Sequence, residues 1–171
     1  MKKTFLLVSF VLILIIVGGC ESNSMSNHTT KLVVYGFHQP YLFTVTNSED
    51  IKVSTGPMNF DFEKLEFTGE VESSENLKLS AKDKLDITKL VEDVIASTSE
   101  NSKNQSYMDV DEVAALINGK MYHSIYVTDT EKTSIESRYL NRELLNLTYK
   151  LIELSPIKVG GDQNPIIIPK Q

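Results

Sequence analysis

The sequence predicts an α+β fold, an antiparallel sheet packed by about three helices in a single domain. Two observations carry this reading. Between residues 31 and 79, short runs of β-branched and aromatic residues alternate in parity and are broken by turn residues, which is the pattern of half-buried strands. From residue 86 onward the apolar spacing changes to three and four residues, which is the period of amphipathic helices.

The elements follow in chain order. Lys31 to Phe37 (KLVVYGF) reads as a strand, and His38-Gln39-Pro40 as a turn. Tyr41 to Thr46 alternates Tyr41, Phe43 and Val45 on one face with Leu42, Thr44 and Thr46 on the other. Asn47 to Asp50 is a second turn, and Ile51 to Ser54 a third strand stopped by Gly56-Pro57. In residues 59–72, Phe60 and Phe62 share one parity while Leu65, Phe67 and Val71 share the other, which predicts a bulge or break near Glu63-Lys64. Leu77 to Leu79 adds a short strand.

Ile87, Leu90, Val91, Val94 and Ile95 then define a helix over 87–96, capped by Asp86 or, if it starts earlier, by Ser80 with Asp83 three residues on. Residues 97–106 form a polar loop. Each half of the chain around it is too small for a good core, so one domain with a surface loop is expected. Asp109 with Glu112 predicts a helix over 110–118, with Val113, Leu116 and Ile117 on its apolar face and Asn118-Gly119 at its end. Lys120 to Val127 reads as a strand. Thr133 with Glu136 opens a last helix over 134–154, striped by Leu140, Leu144, Leu147, Leu151 and Leu154 and stopped by Ser155-Pro156. The tail, residues 156–171, carries a Gly160-Gly161 turn and the run Ile166-Ile167-Ile168.

The N-terminus carries the most specific signal. Lys2 and Lys3 precede an apolar run from Thr4 to Val17, 14 residues long, and Gly18-Gly19 leads into Cys20, the one cysteine of the chain. That is the layout of a secretory signal peptide, and the run is shorter than the ~20 residues a spanning helix needs. Val17-Gly18-Gly19-Cys20 resembles the lipobox of bacterial lipoproteins. The resemblance covers residues 1–20 only. It implies cleavage before Cys20, a diacylglyceryl group on its sulfur, and a domain held on the extracytoplasmic face of the cell membrane by two acyl chains. Residues 20–30 then serve as the lipidated cysteine and a polar tether. Arginine is confined to Arg138 and Arg142 beside many lysines, asparagines and isoleucines, a bias resembling that of low-GC Firmicutes.

Charge narrows the function classes. Without Lys2 and Lys3 the chain keeps 15 Lys+Arg against 23 Asp+Glu, a formal −8. This excludes the basic footprint of a nucleic-acid binder, and it argues against a domain that hugs anionic lipid. With Cys20 lipidated, no thiol remains for a disulfide or a thiol nucleophile, so packing must supply the stability.

Catalytic and metal motifs are sparse. His28, His38 and His123 lack the short spacing of a zinc site. Asp109-x-Asp111-Glu112 fails as an EF-hand, since Val113, Ala114 and Lys120 stand where a ligand, glycine and glutamate are needed. Gly160-Gly161-Asp162 lacks the spacing of a phosphate loop, and G-x-S-x-G, S-x-x-K and H-E-x-x-H do not occur. No metal site or cofactor is therefore expected. Tyr35, Phe37, Tyr41 and Phe43 flank the turn at His38, which makes Tyr35, Phe37, His38 and Tyr41 the candidate contact residues for a ligand or partner. The leading expectation is a non-catalytic envelope lipoprotein that binds a protein, peptide or other envelope component. The rivals are an envelope enzyme whose site joins His38 or His123 to distant carboxylates, and a structural subunit that uses the outer face of its last helix.

Overall fold

A computed structural model describes residues 29–35, 39–46, 50–57, 59–97, 112–125 and 141–160. Their fold is α+β. Six strands form one antiparallel sheet: β1 (Thr30–Tyr35), β2 (Tyr41–Thr46), β3 (Asp50–Thr55), β6 (Ser73–Asn76), β7 (Glu112–Ile117) and β8 (Lys120–Ile125). Their spatial order is β6-β3-β2-β1-β7-β8, which puts β1 inside the sheet. A two-stranded hairpin, β4 (Phe60–Asp61) with β5 (Glu66–Phe67), stands apart from it. The described helices are two, α1 (Ala81–Ala96) and α2 (Arg142–Leu154). Among the described residues no helix is long and apolar enough to cross a membrane.

The larger core lies between the sheet and the helices. Leu32, Val34, Phe43, Val53, Val113 and Ala115 face Val94, Leu144, Leu147 and Leu151 there. α2 dominates this layer, since seven of its residues are buried, from Leu144 to Ile152. Removing one such leucine side chain typically costs about 2–5 kcal/mol. The opposite sheet face has a smaller core of Val33, Leu42, Ala114 and Leu65, with Phe60, Phe67, Leu116 and Met121 packed around it. The β4–β5 hairpin supplies Leu65 and the two phenylalanines, so it roofs β1 from the side away from the helices.

The expected third helix, 110–118, is corrected by the structure. Glu112–Ile117 is a strand, paired on one side with β1 and on the other with β8. Val113, Leu116 and Ile117 do fall at helical spacing. A strand buried on both faces is also nearly continuous in apolar residues, and over six residues the two patterns coincide. Asn118 (φ 53°) and Gly119 (φ 75°) form the tight turn between β7 and β8 rather than a helix end. Two consecutive positive φ angles are what a two-residue hairpin loop demands, and Asn-Gly supplies them at least strain. The Asp109 cap lies outside the described residues.

Smaller boundaries also move. The last sheet strand before α1 is Ser73–Asn76, not Leu77 to Leu79; Leu77 only donates its N–H to the Ile51 carbonyl at 2.7 Å. The parity break in 59–72 is the tip of the β4–β5 hairpin. There the Asp61 carboxylate accepts the N–H groups of Glu63 (2.9 Å) and Lys64 (3.0 Å). Ser80, not Asp86, caps α1. Its hydroxyl accepts the Asp83 N–H at 3.1 Å, and the Asp83 carboxylate accepts the Ser80 N–H at 3.2 Å. α2 begins after Asn141, whose side-chain oxygen accepts the Leu144 N–H at 3.0 Å. The Thr133–Glu136 box, residues 134–140 and the tail from 161 lie outside the described residues, as does most of the 97–106 loop.

Asp83 also binds the helices to each other, because Lys150 of α2 donates to it at 2.7 Å. The Lys150 ammonium, with the Ser80 hydroxyl and N–H, holds the Asp83 carboxyl at a pKa of about 2, against an ordinary 3.8. A carboxyl lowered on folding adds stability above its unfolded pKa and loses it as pH falls through the folded value. Asp83→Asn is therefore expected to lower the denaturant midpoint at neutral pH, with the gap to the parent closing as pH falls from 3.8 to about 2. A gap that stays constant over that acid range would contradict this role for Asp83.

Candidate functional site

Alternation along β1 and β2 decides where the aromatic candidates point. Tyr41 pairs with Val34, and both belong to the helix-side core. Tyr41 is 1% exposed, and its hydroxyl is hydrogen-bonded to the Gln39 amide. It is a core residue with a satisfied polar tip. Tyr35 is one position further along β1 and so takes the opposite face. The structure separates these two tyrosines by the thickness of the sheet. Phe37 and His38 lie outside the described residues, as does Cys20. Pro40 is tied to the sheet by the Thr55 hydroxyl, which donates to its carbonyl at 3.1 Å.

Tyr35 instead joins a chain of rings from the hairpin. Its ring meets Phe62 edge-on, with centroids 4.8 Å apart and planes at 77°. Phe62 meets Phe60 at 5.0 Å, and Phe60 meets Phe67 at 5.0 Å, both again edge to face. Such pairs satisfy the quadrupoles of the rings and fix their relative orientation. Phe60 and Phe67 pack on the smaller core, while Phe62, between Tyr35 and Phe60, remains 41% exposed. A half-buried tyrosine and a half-exposed phenylalanine thus form an apolar shelf at one end of the sheet. The phenylalanine spacing in 59–72 signals that hairpin in the sequence, but only the fold brings it over β1.

Polar groups border the shelf. Glu112 of β7 is the direct partner of Tyr35. His123 of β8 is the partner of Ala114, diagonal to Glu112 on the same face. His123 is exposed, yet the surrounding sheet face removes enough water to hold its imidazole below the ordinary 6.5, while the Glu112 carboxylate pulls it the other way. The sheet thus gathers Tyr35, Glu112, His123 and Phe62 at one end of one face. That set combines apolar stacking surface, one carboxylate and one imidazole, which suits recognition of a ligand with both apolar and polar groups. Among the described residues no group of three or more His, Cys, Asp or Glu could hold a metal ion.

Other positions named from sequence fall elsewhere. The outward positions of α2 are Arg142, Asn146 and Glu153, all polar. The exposed apolar residues of α1, Leu85 and Ile95, belong to neither core. Gly160 adopts a positive φ of 87°, as its turn reading expects. No family model, no curated protein and no solved structure matches this chain.

The electrostatics make a direct statement about the site. An NMR titration of His123 is expected to give a pKa below 6.5, and Glu112→Gln, by removing the opposing carboxylate, should lower it further. A value above 6.5, or a rise in the variant, would contradict the placement of these two groups on one face.

Proposed function

We propose that this chain is a lipoprotein, anchored through a diacylglyceryl group on Cys20 to the extracytoplasmic face of the cell membrane. Its domain, residues 31–171, acts as a binding module for a protein, peptide or other component of the envelope. The anchor rests on the apolar run to Val17 and on Gly18-Gly19-Cys20. Two acyl chains on one cysteine suffice for stable attachment. The binding reading rests on one observation above the others: Phe62 stays 41% exposed within an ordered ring chain, between Tyr35 and Phe60 and on the face that carries Glu112 and His123. An aromatic ring whose neighbours fix its orientation offers contact area at little entropic cost, which is the property of residues that dominate recognition surfaces.

A second reading has a specific observation in its favour. His123 and Glu112 are close enough in register for the carboxylate to act on the imidazole. A carboxylate beside a histidine is the minimal pair of a general base and its orienting group. An envelope enzyme built on His123 would need a nucleophile or substrate-positioning groups in addition, and the chain's sequence motifs supply no familiar set of them.

A photo-crosslinking amino acid placed at position 62, in protein expressed with its own N-terminus, tests both parts together. The expected outcome is membrane association that Cys20→Ser abolishes or converts to an unprocessed precursor, with a discrete adduct from position 62 that is absent from an equivalent probe at Leu85. Unchanged lipid labelling in Cys20→Ser would remove the anchor. The same adducts at positions 62 and 85, or none at 62, would remove the binding surface.

A further inference from the structure

The described lysines crowd one end of the domain. β1 enters there at Thr30, which pairs with Val45 and Ile117. Lys120 is opposite Ile117 in that same terminal row. Lys31 and Lys52 flank Thr44 one row further in. The Leu77 N–H reaches the Ile51 carbonyl at 2.7 Å, so the chain leaves the sheet at this end, and Lys78 and Lys82 follow at the start of α1. Lys89 in the middle of α1 and Arg142 at the start of α2 lie elsewhere.

The acids occupy both ends. Glu112 closes the far end of the β1–β7 pair, and the Glu72 N–H donates to Thr55 at the far end of β3. Asp93 lies in the last turn of α1. That turn is also at the far end, because Asn141 joins Ser97 there (3.4 Å) to Ser124 of β8 (3.1 Å). At the Thr30 end, Asp83 is engaged by Lys150 and Glu66 by Lys31. Asp86 also faces Lys150, and Lys64 is engaged by Asp61; Asp50, Glu63 and Glu153 are then the exposed acids to set against exposed Lys52, Lys78, Lys82 and Lys120.

We propose that this lysine-bearing end docks on anionic lipid headgroups of the membrane to which the chain is anchored, turning the Tyr35–Phe62 shelf outward. The proposal rests on the lipid anchor at Cys20. Ten residue steps separate Cys20 from Thr30, a reach of at most ~35 Å when extended. That reach joins the Thr30 end to the anchor without fixing which face of the domain meets the bilayer, and the lysines supply the orientation. The net negative charge, which over the whole chain argues against contact with anionic lipid, is held partly at the opposite end of the sheet. Screening limits surface attraction and repulsion to ~8 Å at physiological ionic strength. A six-residue strand spans ~20 Å, so the acids of the far end lie beyond that range when the lysines touch the headgroups.

The test is lysine footprinting with an acylating reagent on the full chain, produced in a host that processes lipoproteins. The chain is placed on vesicles of phosphatidylcholine alone or of phosphatidylcholine with phosphatidylglycerol. The expected result on anionic vesicles is a roughly fivefold slowing at Lys52, Lys78, Lys82 and Lys120, with Lys89 unchanged and the slowing lost in ~1 M salt. Equal rates on the two vesicles, or Lys89 slowed as much as the other four, would overturn the docking while leaving the anchor intact. An equal slowing by soluble polyphosphate in place of the anionic lipid would overturn the membrane as the occupant. Failure of the chain to float with either vesicle would overturn the anchor and the docking together.

Discussion

Leu32, Val33 and Val34 are consecutive in β1, and their exposures are 0, 1 and 0%. Consecutive strand residues point to opposite faces, so β1 is dry on both sides. A sheet with two apolar faces at its centre needs two covers, and the rest of the fold provides them. α1 and α2 close one face, and the β4–β5 hairpin closes the other. The hairpin is too small to be stable alone. It is held by Leu65, buried against Val33 and Leu42, and by the Lys31 ammonium donating to the Lys64 carbonyl at 3.0 Å. The candidate site follows from this second cover, because the hairpin that protects Val33 also brings Phe62 onto Tyr35.

Polar side chains then join the layers at two opposite corners. At one, Asn141 links β8, α1 and α2: its N–H goes to Ser124, its side-chain oxygen takes the Leu144 N–H, and its amide reaches Ser97. At the other, Asp83 joins the α1 cap to Lys150 of α2. Each residue satisfies helix-end groups that burial would otherwise leave costly. They also fix the antiparallel sense of the two helices, which sets the start of α1, with Lys78 and Lys82, at the Thr30 end of the sheet.

Much of this was legible in the chain. Period two between Tyr41 and Thr46 gave both faces of β2 correctly, and the helix around Ile87 and Val94 followed from its spacing. The Glu112–Ile117 strand was not, for a physical reason. Its apolar residues occupy both faces, and a doubly buried strand of six residues has the same composition as a short helix. The Asn118-Gly119 pair was the signal that should have decided the matter, since it favours a hairpin over a helix end when apolar runs flank it on both sides. The site was half legible. Tyr35 and His123 stood out by residue type, but Glu112 read as a helix acid and Phe62 as part of a strand pattern. Their meeting depends on long-range pairing that no local pattern encodes.

The fold turns on the doubly covered β1 with β7 as its neighbour. Native-state hydrogen exchange tests it most directly. The amides of Leu32 to Val34 that bond to β2 and β7, with those of Val113 to Ala115, are expected to exchange most slowly and at one common free energy, that of global unfolding. The β4–β5 hairpin amides should open at lower free energy, because losing one small cover leaves the helix-side core in place. Fast exchange across Val113 to Ala115, or hairpin amides as slow as those of β1, would contradict it.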